Sequence, residues 1–115
     1  GVNQLIRVLA QEWGPAGIRV NGISPGPIEG SWGMENVASP HPEIVEMIRR
    51  AIPLKRWGKE SDIADTALFL ASPAASYITG TIIETDGGVT IASPEMSRFN
   101  SIDDLVKDPR VQRKS

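Results

Sequence analysis

The stretch IRVNGISPGPIEGSWGM, Ile18 to Met34, decides how the rest of the chain reads. Ile18, Val20 and Ile23 form a short apolar run enriched in β-branched side chains, the pattern of a buried strand over Ile18–Ser24. Pro25 and Pro27 have no N–H to give to a ladder, so the strand is expected to stop there. Gly26 between them has no Cβ, which lets backbone approach a flat ligand closely. Open α/β sheets bind ligands beyond the carboxyl ends of their strands, where this corner falls. The segment Pro25, Gly26, Pro27, Ile28, Glu29, Gly30 and Ser31 is therefore expected to form one wall of a cofactor site.

Upstream, Val2, Leu5, Ile6, Leu9 and Trp13 fall at the spacing of one helical face. Gly14-Pro15 is expected to end that helix, glycine first and proline after it. Gly1 opens on the first turn of an uncapped helix with no Met before it, which reads as the start of a fragment. Downstream, residues 25 to 41 form a long connection, and long loops in compact domains are commonly functional. A helix over Pro42–Ala51, capped by Ser39 or His41, is expected to act as a lid on the site. Pro53–Gly58 is a connector. Ser61 is the expected N-cap of a helix with the broad apolar face Ile63, Ala64, Ala67, Leu68, Leu70 and Ala71. Tyr77–Thr85 reads as a second buried strand, closed by the turn signal Asp86-Gly87-Gly88. That turn has a second reading as an element beside the cofactor or another subunit. Residues 93–115 show no sustained period and read as a polar tail, with a short helix at Ile102–Lys107.

The 115 residues fit one small domain or part of a larger one. Twelve basic against fourteen acidic residues, without a basic block, argue against a nucleic-acid partner. With no cysteine there is no disulfide framework, no thiolate chemistry and no expected metal site. No apolar run approaches the ~20 residues of a membrane-spanning helix, so no membrane partner is expected. Two strands with about three helices cannot cover both faces of a parallel sheet, so these residues are expected to complete a larger one.

Single residues invite bolder readings. His41, the sole histidine, lies between two prolines and reads as a cap or a solvated side chain. Trp13 and Trp57 read as packing, whereas Trp32 sits in the loop where an acyl pocket would be. Arg49, Arg50, Lys55 and Arg56 read as a solvated face or a subunit contact, with a phosphate contact as the alternative.

With those residues in hand, the chain resembles the short-chain dehydrogenase/reductase family. Three segments carry the resemblance: IRVNGISPGPI at 18–28, PLKRWGKESDIADTALFLAS at 53–72 and YITGTIIETDGG at 77–88. The resemblance implies an α/β fold, the C-terminal part of a doubly wound parallel-sheet (Rossmann) domain over residues 1–92, with 93–115 as a tail. It implies NADP(H), with NAD(H) left open, held through main-chain atoms of Pro25–Ser31, and substrate contacts at Trp32 and Asn36. It places the phosphate loop and the active-site Ser, Tyr and Lys before Gly1, so no catalytic residue is expected in the chain. A homodimer or homotetramer is implied as well.

Within the family, EWGPAGIRVN, PGPIEGSWGM and LASPAASYITG are most similar to the peroxisomal 2,4-dienoyl-CoA reductases. The function this implies is reduction of a conjugated dienoyl-CoA in unsaturated fatty acid breakdown. Ketoacyl or alcohol/ketone reduction is the alternative, and a non-catalytic or dimerising remnant is another. Two departures stand out: Glu35 and Asn36 occupy positions where those reductases carry basic residues, and Arg113-Lys114-Ser115 is not a Ser-Lys-Leu-type peroxisomal address. An intracellular location is expected, with the peroxisome implied by the resemblance alone.

Overall fold

The structure, a computed structural model, describes residues 1–31, 34–35 and 40–92. These divide into two compact units, one of Gly1–Pro25 with Ser61–Thr85, the other of Gly26–Glu60 with the residues from Asp86 on.

In the first unit, α1 (Val2–Trp13) forms where the apolar period predicts it. It ends at Trp13, just before Gly14-Pro15 as expected, but the stop takes another form. Gly14 stays right-handed, a 3₁₀ turn covers Gly14–Ala16, and the left-handed residue is Gly17 at φ +80°. Proline at the second position of a 3₁₀ turn extends the turn instead of ending it. Strand β1 (Gly22–Pro25) pairs in parallel with β2 (Ile82–Thr85), in register from Gly22↔Ile82 to Pro25↔Thr85. Both strands are shorter at the front than expected, and β1 includes Pro25, because a strand's last residue need not donate. Ahead of the ladder, side chains join the two segments. Asn21 Nδ2 donates to the Ile78 carbonyl at 3.0 Å, and its Oδ1 accepts the Thr81 amide at 3.2 Å. Thr79 Oγ1 accepts the Val20 amide at 3.0 Å.

Helix α3 (Glu60–Ala71) starts one residue before Ser61, so Ser61 lies inside it and is not its cap. Of its expected apolar face only Leu70 is buried, and Leu68 is 70% exposed. Helix α1 is similar: Ala10 is buried, while Val2 and Leu5 are 71% and 56% exposed. Among the described residues these stripes are covered only in part, leaving Val2, Leu5 and Leu68 exposed.

The second unit has the denser core. Helix α2 (Pro42–Ala51) spans the expected residues, with Pro42 preset for the first turn. Its role is not that of a lid. Ile44 and Ile48 face a core completed by Ile52, Trp57 and Val89, with Met34, Val45, Met47 and Ala51 packed around it. His41 stands at the N-cap position without capping through its side chain, and its Nδ1 lies 3.8 Å from Glu43 Oε1. A short helix α4 (Val89–Ala92) follows the glycine turn where no helix was expected. The expected helix at Ile102–Lys107 and the tail lie outside the described residues. No helix among the described residues is long and apolar enough to cross a membrane.

Candidate functional site

The predicted wall begins with Pro25 at the end of β1 and continues into the second unit as Gly26–Ser31. Two backbone bonds fix its middle. The Gly58 amide donates to the Pro27 carbonyl at 2.8 Å, and the Glu29 amide donates to the Gly58 carbonyl at 2.8 Å. Together they make an isolated parallel bridge between Ile28 and Gly58. In that pattern the amide of Ile28 points away from Gly58, as alternate residues of extended chain do. Among the described residues no acceptor takes it. Ile28 is a half-buried residue, and its amide is directed away from the bridge without a partner among the described residues.

Ser31 closes the segment. Its amide donates to the Ile28 carbonyl at 3.3 Å, and its hydroxyl oxygen accepts the Met34 amide at 3.2 Å. Its carbonyl accepts the Glu35 amide at 3.0 Å. The hydroxyl is therefore held in place with its proton still available to a further acceptor. Glu29 and Gly30 are exposed, whereas Gly26, Pro27, Ile28 and Ser31 are half-buried.

Gly26 has a close neighbour within the chain: a Cβ there would lie 2.6 Å from both Cα and Cβ of Asp86, so that side of the residue packs against the Asp86 turn. Two flanking elements, Trp57-Gly58 and Asp86-Gly87-Gly88, thus belong to the setting of this wall. The first read only as a connector, and the second as a turn before anything else. The clue available was the run of small residues on both sides of a double-proline corner. Trp32 and Asn36, the expected substrate contacts, lie outside the described residues.

No group of acidic or histidine side chains among the described residues is arranged to hold a metal. A groove of about 390 Å³ in the first unit is lined by residues including Arg19, Asn21, Ile23 and Leu70. It contains none of the predicted site residues. Arg19 is already committed there, donating to the carbonyls of Ile78 at 3.2 Å and Ser72 at 3.4 Å.

A parallel strand pair joined through helices, with a proline-rich corner at a strand's carboxyl end, defines part of a doubly wound Rossmann sheet. The profile of the family described as Enoyl-(Acyl carrier protein) reductase matches residues 1–90. The chain belongs to the short-chain dehydrogenase/reductase family of oxidoreductases. It is 43% identical over 93 residues to a peroxisomal 2,4-dienoyl-CoA reductase of Pongo abelii, covering 81% of this chain and 32% of that protein. It is 46% identical over 90 residues to a galactitol 2-dehydrogenase of Cereibacter sphaeroides, covering 78% of this chain and 35% of that protein. A dehydrogenase crystal structure from Agrobacterium tumefaciens with bound NADP superimposes with a TM-score of 0.72 at 42% identity, over 79% of this chain and 36% of that one. The chain spans about a third of the length of these relatives.

Proposed function

We propose that Pro25–Ser31 forms the nicotinamide-facing wall of an NADP(H)-dependent reductase whose substrate is a 2,4-dienoyl-CoA. The observation that carries this is the amide of half-buried Ile28, which is turned away from its bridge partner and has no acceptor among the described residues. A carboxamide oxygen is a fitting acceptor for such a donor. A main-chain contact of that kind fixes which face of the ring meets the substrate. When bound, the nicotinamide supplies a hydride, which with a proton converts a dienoyl-CoA to an enoyl-CoA and leaves the cofactor oxidised.

The chain's own part is binding and orientation. Ile28 donates to the carboxamide, Pro27 and Ile28 present apolar surface to the ring, and Ser31 offers its hydroxyl proton nearby. Residues 1–92 act as part of the dinucleotide-binding domain, and residues 93–115 as a tail. Support for the substrate comes from the similarity to the Pongo reductase, which is named as producing a (3E)-enoyl-CoA.

The experiment follows NADPH absorbance with a 2,4-dienoyl-CoA, using the protein as its gene encodes it. Oxidation dependent on the thioester is expected, and its absence overturns the substrate assignment. NADH in a parallel cuvette decides the cofactor.

A second reading has its own support. Glu35 stands where the dienoyl-CoA reductases carry a basic residue, and the galactitol dehydrogenase is as similar as the reductase. On that reading the substrate is an alcohol or ketone, and a panel of polyols and ketoacyl thioesters in the same assay distinguishes the two. The 115 residues alone are proposed to be inactive, since hydride transfer also needs a proton donor positioned on the substrate. Saturable NADPH binding by the isolated chain would overturn the stronger claim that it is inert. Assembly as a dimer or tetramer and a peroxisomal location complete the proposal, to be checked by sedimentation and by fluorescence microscopy of the tagged protein.

A further inference from the structure

The Gly26 contact with Asp86 connects the wall to a turn that holds itself rigidly. Asp86 Oδ1 accepts the Gly88 amide at 2.9 Å, and Oδ2 accepts the Thr90 amide at 3.2 Å. Burial pushes the Asp86 carboxyl up, but the Thr90 hydroxyl and the amides of Gly88 and Thr90 outweigh it and hold the group below its ordinary value. The carboxylate is thus ionised at neutral pH and fully engaged within the turn.

The turn is also fitted to the core. Gly87, at φ +64°, has so little space that a Cβ would meet Ile52 Cγ2 at 2.7 Å. Its carbonyl accepts the Leu54 amide at 3.2 Å. Ile52 is 1% exposed, and Val89, one residue beyond the turn, is buried in the same cluster. On the other flank Gly58 follows Trp57, which belongs to that cluster too.

We propose that Asp86 is a positioning residue for the nicotinamide wall. Its Cα and Cβ lie against Gly26 and its carboxylate fixes the turn that presents them, while Gly58 holds Pro27 and Glu29 by hydrogen bonds. The inference rests on the reading of Gly26–Ser31 as the cofactor wall. Its physical content is that the Ile28 amide is aimed by two clamps seated on one core. Loosening either clamp releases the aim without touching any group that meets the cofactor. A carboxylate that merely capped the one-turn helix α4 would have no such reach.

The test is amide hydrogen exchange on the protein as its gene encodes it, in wild type, Asp86→Ala and Asp86→Asn, with NADPH kinetics alongside. In Asp86→Ala the Glu29 and Gly58 amides, which span the Ile28–Gly58 bridge, are expected to exchange about tenfold faster. The α1 amides serve as the control and are expected to stay unchanged. Asp86→Asn keeps one acceptor oxygen, so it is expected to restore much of the protection. The KM for NADPH is expected to rise about tenfold in Asp86→Ala with a smaller change in kcat.

Unchanged exchange at Glu29 and Gly58 overturns the positioning role whatever the cofactor does. Equal acceleration at all amides, α1 included, overturns it as well, since that is plain loss of stability. If Asp86→Ala does not fold, Asp86→Asn against wild type gives the same comparison with a smaller expected effect. Exchange that responds as expected in a wild-type background that binds no NADPH supports the clamp and overturns the cofactor reading, so the two failures are separable.

Discussion

The indole N–H of Trp57 donates to the carbonyl of Val45 at 3.1 Å, tying the connector that carries Gly58 to the middle of α2. Trp57 is 4% exposed, so the bond is formed where water does not compete. Trp57→Phe keeps most of the packing and removes the donor, and is expected to destabilise the protein by about 1–2 kcal/mol. Trp57→Ala also opens a cavity and is expected to cost about 3–5 kcal/mol. Urea denaturation followed by circular dichroism measures both, and equal midpoints for wild type and Phe would show the bond to be inconsequential.

Two aliphatic truncations distinguish a core helix from a lid. Ile48 of α2 is 1% exposed, whereas Leu68 of α3 is 70% exposed. Ile48→Ala is expected to lower stability by about 2–5 kcal/mol. Leu68→Ala is expected to stay within about 0.5 kcal/mol of wild type. A lid would reverse the pattern, with Ile48→Ala folding normally and altering only turnover.

Lys55 has φ +59°, a left-handed conformation that a side chain with a Cβ adopts at a cost. Its Nζ donates to the Arg50 carbonyl at 2.7 Å in an exposed setting, where such a bond contributes little. Lys55→Gly removes the strain and is expected to raise stability by about 0.5–1 kcal/mol. A lower thermal midpoint for the variant would mean that the Lys55 contact with the end of α2 outweighs the backbone cost.

Acid is expected to weaken the end of α2. Side-chain hydrogen bonds from Arg49, at 2.8 Å through Nε and 2.5 Å through Nη2, lower the Glu46 carboxyl to about 2. The folded pKa lies below the unfolded one, so the stabilisation is present above the ordinary glutamate value near 4.5 and is lost as pH falls toward about 2. Asp86, also lowered in the folded state, acts with the same sign. Both pairs of groups are read by the slope of stability against pH, which is expected to flatten in Glu46→Gln. The exposed setting of Glu46 keeps the effect small, and salt reduces it further.

Ile28→Pro deletes the amide assigned to the cofactor. No residue among those described accepts that N–H, so the fold is expected to keep its circular dichroism spectrum. NADPH affinity is expected to fall about tenfold, the worth of one directed hydrogen bond with its partner left unpaired. Unaltered affinity in a folded variant would remove Ile28 from the proposed site.

What was legible in the sequence was local. Helix α2 begins at Pro42 and ends at Ala51 as read, because proline at the first turn and the apolar period are properties of neighbouring residues. Its burial was not legible, since only the Trp57 connector and Val89, distant in sequence, reveal that Ile44 and Ile48 are enclosed. The strands read long because Ile18, Val20 and Ile78 share the β-branched character of the ladder residues. Yet the pairing there is broken up: one backbone bond, from the Gly80 amide to the Val20 carbonyl at 2.8 Å, is supplemented by the side chains of Asn21 and Thr79. The glycine at 26 was legible as a place of close approach, but its neighbour within the chain was not. Identifying that neighbour needed the position of Asp86, sixty residues away along the chain.

Because β1 and β2 pair in parallel, the whole of Gly26–Glu60 and helix α3 must be spooled out between the two halves of the sheet. Contacts within α2 and its connector are near in sequence and close first, while the strand pairing waits on a large loop. A ribosome therefore releases β1 well before β2, so this pairing can close only after Gly26–Glu60 and α3 have emerged.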